Sequence, residues 1–202
     1  MRKRSGSHAR DLELLLAEQG FGPLLRRDYW GVIRNCRYTP AQIVGTVRRH
    51  FPAFAPRELV TFTRLERRDL PLELGDELDV RIVGVPRTRV RVTNLGEQSL
   101  TLATEAGHPE AGRITFGCYR NRHGDVIFHI RSHARSSGRV TRAGFLATGE
   151  VMQTSTWTDF VNRVAVAFGD GVIGHIQAVT TPCEDEPPEA SMHEPTFEAR
   201  GG

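Results

Sequence analysis

Apolar and polar residues alternate with a period of two along the middle of the chain, and segments with helical spacing flank that stretch. Near the start, Asp11–Gln19 (DLELLLAEQ) has helical spacing, and Gly20 offers a C-terminal stop. Tyr29–Arg37 (YWGVIRNCR) is rich in aromatic and β-branched residues and predicts a strand. Thr39-Pro40 supplies an N-cap followed by proline in the first turn. Ile43, Val44, Val47 and Phe51 then recur on one helical face, and Pro52 and Pro56 are expected to end that helix.

A long β region follows. Leu59–Leu65, Glu77–Val83, Arg87–Leu95, Ser99–Thr104, Arg113–Arg120 and Asp125–Ala134 each alternate as strands. Asn94-Leu95-Gly96 and Arg122-His123-Gly124-Asp125 carry turn signals, the second joining the last pair as a hairpin. Gly149–Phe168 returns to helical spacing, with Val151, Trp157, Val161, Val164 and Phe168 near one stripe and Gly169 as its stop. The fold class is α+β: a curved antiparallel sheet with one face to bury, and a long helix to cover it. This element order resembles the START-like helix-grip architecture, in which the sheet wraps around the C-terminal helix. The resemblance implies a cavity between the two.

The ends differ in composition. Residues 1–10 read as a disordered basic arm, and residues 183–202 hold six acidic residues and three prolines and read as a disordered acidic tail. A single domain is expected over 11–182, with its mildly basic charge scattered. Three widely spaced cysteines (Cys36, Cys118, Cys183) exclude a disulfide framework and a CxxC-type zinc site, which points to a reduced, cytoplasmic protein. No apolar run is long enough for a membrane span. Apart from Lys3 the long basic side chains are all arginine. A GC-rich bacterial genome explains that bias better than nucleic-acid binding. Arg87, Arg89 and Arg91 alternate on one strand and could meet phosphates, but no aromatic platform is interleaved with them.

Residues Thr104–Ser136 (TEAGHPEAGRITFGCYRNRHGDVIFHIRSHARS) carry a second resemblance. Gly107-His108-Pro109-Glu110, Gly112, Phe116 and Val126–Ile130 resemble the motif of the DUF1990 family of bacterial and plant proteins. Gly20-Phe21-Gly22 and Gln153 match further elements of it. Leu102-Ala103-Thr104 stands where the family has Tyr-Gly-Thr, and His133-Ala134-Arg135-Ser136 where it has Phe-Ser-Arg-Pro. The resemblance supports the fold and transfers no reaction.

Candidate chemistry is sparse. His108 and Glu110, two apart in a glycine- and proline-rich turn, are the candidate acid/base pair; a structural turn is the competing reading. His129 and His133 lie about 13 Å apart if extended, too far to share one ion, so their row with Arg131 is expected to face water and no metal is expected. Cys118 lacks a neighbouring cation and reads as a small apolar group. Val80, Val92, Phe116, Cys118, Phe128 and Ile130 on the sheet, with Trp157, Val161 and Phe168 on the helix, either fill a core or line a pocket; Ser132 is an inward polar candidate. The expected function is binding of a hydrophobic small molecule, with a cofactor-free cyclase, isomerase or dehydratase of polyketide- or lipid-like metabolism as its enzymatic form. A non-catalytic carrier or sensor is the alternative, and a nucleic-acid-associated protein the second. No cofactor is expected, and a homodimer is compatible with the sequence.

Overall fold

The computed structural model describes residues 13–64 and 70–184, with the backbone alone over 139–150. The expected arm and nearly all of the expected tail lie outside the described residues. In chain order the elements are a 3-10 turn (Ala17–Gln19), β1 (Phe21–Ile33), α1 (Pro40–Phe54), β2 (Val60–Arg64), β3 (Glu77–Ile82), β4 (Thr88–Gly96), β5 (Ser99–Thr104), β6 (Glu110–Arg120), β7 (Val126–Ser136), α2 (Arg139–Phe168) and β8 (Val172–Cys183). The strands form one antiparallel sheet in the order β2-β3-β4-β5-β6-β7-β1-β8.

The strands of the β region follow their alternation closely. Elsewhere tertiary pairing moves the boundaries. The helix expected over Asp11–Gln19 is absent from its described part save for the 3-10 turn. Leu15 instead donates its N–H to the Thr104 carbonyl (2.8 Å) and accepts from Gly112 N–H (2.9 Å), so the segment lies extended across the ends of β5 and β6. Strand β1 begins eight residues earlier than Tyr29, because Leu25–Asp28 pair with β7 on one side and β8 on the other. Pro52 kinks α1 rather than ending it: His50 leaves helical geometry (φ −119°, ψ 26°), and the helix runs on to Phe54. Thr39 caps α1 as expected, in a reciprocal capping box with Gln42. Helix α2 starts ten residues before Gly149, and β8, where the sequence pattern predicts no element, adds an outer strand beyond β1.

The inner face of the sheet meets α1 and the C-terminal half of α2 in an aromatic cluster. Phe51 of α1 packs edge-on against Phe62 (5.1 Å) and Phe116 (4.9 Å), and Phe160 of α2 stacks on Phe128 (6.1 Å). On the outer face, Arg87 and Arg89 pair with Asp79, Arg89 and Arg91 with Glu77, and Arg91 with Glu105 at 2.8 Å. The three arginines that could have met phosphates therefore face carboxylates across β3 and at the end of β5. Among the described residues no helix is long and apolar enough to cross a membrane.

Candidate functional site

Side chains on the inner face shrink along β6 and β7 away from α1. Phe116 gives way to Ile114, Gly112 and Glu110; Ile130, opposite Phe116, gives way to Ser132, Ala134 and Ser136. Where the side chains are large, they close on Phe51 and Phe160. Where they are small, they leave a cavity of about 580 Å³ between the sheet and the middle of α2. Val80, Val90 and Leu102 form much of its sheet wall, and Met152, Gln153, Thr156 and Trp157 its helix wall. Trp157 marks the boundary, with its ring 5.6 Å from Phe116 on the filled side.

Polar groups gather at one end. The turn between β5 and β6 is shaped by Gly107, which takes φ +93°, a conformation a side chain disfavours. It folds His108 back over the start of β6, where Nδ1 lies 3.1 Å from both the N–H and the carbonyl of Glu110. Burial lowers the His108 pKa, partly offset by the Glu110 charge, so the ring is neutral near pH 7. The neutral ring uses Nδ1 either as acceptor from the N–H or as donor to the carbonyl, and that choice sets whether Nε2 donates or accepts. Nε2 has no partner among the described residues. The Glu110 carboxylate is tied to Arg27 of β1 at 3.2 Å. Ser132, opposite Arg27 in the register, presents its hydroxyl to the cavity.

His108, Glu110, Val80, Ser132 and Trp157 of the expected site residues line the cavity. Val92, Phe116, Cys118, Phe128, Ile130, Val161 and Phe168 do not; they belong to the packed core. Alternation puts the five strand residues on the inner face and helical spacing puts Val161 and Phe168 on the stripe that meets it, but only the position of α1 decides which end of that face is filled. Burial also pushes the Cys118 thiol far above its ordinary range, as suits a core group. The acid/base pair is altered too, since His108 meets Glu110 through its backbone and the carboxylate goes to Arg27. Arg27 has no sequence signal: it looks like one more arginine in a polar stretch. The cavity end was legible in principle, from the run of small inward residues Thr104, Gly112, Ser132 and Ala134.

The family model for a domain of unknown function, DUF1990, matches residues 49–163, more than half of the chain. The chain belongs to the DUF1990 family. No curated protein matches it. Among solved structures, the KanY protein superposes with a TM-score of 0.51 at 11% identity, covering 73% of this chain and 99% of that one. Major latex-like protein 151 from Panax ginseng gives 0.50 at 10% identity, covering 73% and 99%. The di-domain ARO/CYC StfQ of the steffimycin biosynthetic pathway gives 0.48 at 12% identity, covering 73% of this chain and 51% of StfQ, about half of its length. At such identities the likeness concerns fold alone, and that fold is the START-like helix grip, here with β8 following the gripped helix.

This DUF1990 chain holds a second polar cluster on the outer face. His129, expected to face water, is buried there. Its Nε2 donates to Asp28 at 2.7 Å, its Nδ1 lies 3.4 Å from the Tyr119 hydroxyl, and Trp30 packs on its ring. Arg131 and Arg26 also pair with Asp28, at 2.6 and 3.0 Å. Burial alone would raise the Asp28 carboxyl, but the His129 hydrogen bond and the Arg131 charge outweigh it and hold its pKa below the ordinary value. Burial lowers His129, and burial with the Arg131 charge pushes His133 down to about 4. No group of metal ligands occurs among the described residues.

These shifts share one sign. His108, His129 and His133 all bind protons more weakly when folded than at the ordinary value of 6.5, so the unfolded chain gains protons first as the pH drops. Stability present above pH 6.5 is therefore expected to fall between 6.5 and about 4, opposed by Glu105, whose carboxyl is held above its ordinary value by burial and the Glu77 charge, with Asp28 adding a loss at lower pH as its carboxyl takes up a proton. Urea denaturation at several pH values checks this. A midpoint that stays level across that window would contradict it.

Proposed function

We propose that this protein binds a hydrophobic small molecule in the sheet–helix cavity, with the apolar body of the ligand along Val80, Val90, Leu102 and Trp157 and its polar end at His108, Glu110 and Ser132. The cavity itself carries this reading: about 580 Å³ of space walled by apolar side chains, with unpartnered polar groups at one end. That volume falls within the range of small-molecule pockets, roughly 300–1,000 Å³. The enzymatic form of the reading is a cofactor-free cyclisation, isomerisation or dehydration of a polyketide- or lipid-like substrate. The wall would hold the substrate near its reactive shape, and His108 would move the proton through Nε2. Glu110, held by Arg27, would orient rather than transfer. A carrier or sensor using the same cavity is the second reading, favoured by how few titratable groups face the space.

Fluorescence titration with Nile red, a neutral hydrophobic probe, tests the binding. Ala134 lies on the wall with little exposure, and Ala134→Trp places an indole in the cavity. Saturable binding by the wild type and a loss of at least about tenfold in a folded Ala134→Trp variant are expected, since tenfold is about 1.4 kcal/mol. Equal affinity in both would overturn the reading. Native mass spectrometry of protein from its own host separates the two forms. A co-purified ligand of the same mass in wild type and His108→Gln supports the carrier; a ligand of different mass trapped by His108→Gln supports catalysis.

A further inference from the structure

We infer that the cavity takes a neutral hydrophobic molecule ending in a hydroxyl, an alcohol or a phenol, and rejects the corresponding carboxylic acid. This rests on the cavity reading above and names the ligand class for it. The decisive feature is the direction in which the Arg27–Glu110 pair points. Glu110 lines the cavity and Arg27 does not. One carboxylate oxygen, Oε1, takes the Arg27 guanidinium at 3.2 Å. The other, Oε2, has no partner among the described residues and is not fully buried. The positive charge thus sits behind the negative one, and an incoming ligand meets an oxygen that only accepts hydrogen bonds.

The neighbouring groups agree. The Ser132 hydroxyl and His108 Nε2 are without partners among the described residues and can donate to or accept from a ligand oxygen. His108 is neutral near pH 7, so it supplies no charge to attract an anion. Arg113 is among the lining residues, but it lies opposite His133 in the register and its charge acts on that outer-face ring. A hydroxyl can give its one proton to Glu110 and accept through its two lone pairs from both Ser132 and His108, satisfying all three. A carboxylate would bring a second negative charge against the first, whose paired cation Arg27 does not line the cavity, and repulsion of that kind rejects a ligand efficiently.

The test is competition against Nile red at pH 7 with 4-hexylphenol and 4-hexylbenzoate, which share a body and differ in the end group. The phenol is expected to bind about tenfold tighter or more. In Glu110→Gln the preference should shrink to less than about threefold. Because that variant leaves Arg27 buried without its partner, the double variant Arg27→Met with Glu110→Gln removes both charges together and keeps the experiment readable if the single one unfolds. Equal or tighter binding of the benzoate by the wild type overturns the inference, as does a full preference for the phenol in the folded double variant. Failure of both compounds to displace bound Nile red also overturns it while leaving the cavity reading intact. If Nile red itself does not bind, the cavity reading is what has failed.

Discussion

Gly112→Ala is expected to cost about 4 kcal/mol or more, enough to leave little folded protein. Gly112 lies on β6 opposite Ala134 of β7, with φ +156°. A Cβ there would come within 2.1 Å of the His133 carbonyl oxygen and 2.7 Å of the Ala134 Cα. Both obstacles are backbone of the central β6–β7 pair, so no side-chain rotation relieves the clash. The residue also carries more than its own ladder. Its N–H reaches the Leu15 carbonyl and the Thr104 hydroxyl, and through them it fastens the N-terminal segment to β5. Soluble yield and urea denaturation read the result. A variant with a wild-type midpoint would mean that the two strands are not so close.

Phe160→Ala is expected to cost about 3–5 kcal/mol, the range for removing a buried aromatic ring. Phe160 is fully buried, and its ring lies 5.1 Å from Phe116, 5.4 Å from Phe51 and 6.1 Å from Phe128. It is the point at which α1, α2 and two central strands meet. The loss should be one of stability, with Nile red affinity changing far less than in Ala134→Trp, because the ring belongs to the filled half of the interior. A large loss of probe binding in a Phe160→Ala variant that remains folded would show that the two halves are coupled.

Much of the architecture was legible as period and punctuation. The alternation of β2 through β7, Thr39-Pro40 at the start of α1, and the stripe Trp157, Val161, Val164 and Phe168 are local signals; the first two mark their elements to within a few residues, and the stripe marks the end of α2 but not its start. The misses share a different character. Arg26, Arg27 and Asp28 break the apolar pattern of β1, yet they are paired with a strand on each side, and Asp28 meets His129 and Arg131 while Arg27 meets Glu110. Burial of such groups is tolerated only when partners arrive from distant segments, and no local window contains those partners. The same holds for Leu14–Leu16, helical in spacing and extended in fact, where hydrogen bonds to β5 and β6 outweigh a weak local preference.

The candidate site divides in the same way. By itself the sequence determined which residues face inward, because a strand's side chains alternate whatever surrounds it. It also placed His108 and Glu110 together in one turn, because Gly107 and Pro109 are local constraints. Only the tertiary structure decided that α1 fills one end of the gripped interior and leaves the other open, that His129 is buried, and that Glu110, on the cavity wall, is tied to Arg27. Those outcomes depend on volumes and charges meeting across strands far apart in the chain, and such meetings have no period for a sequence to display.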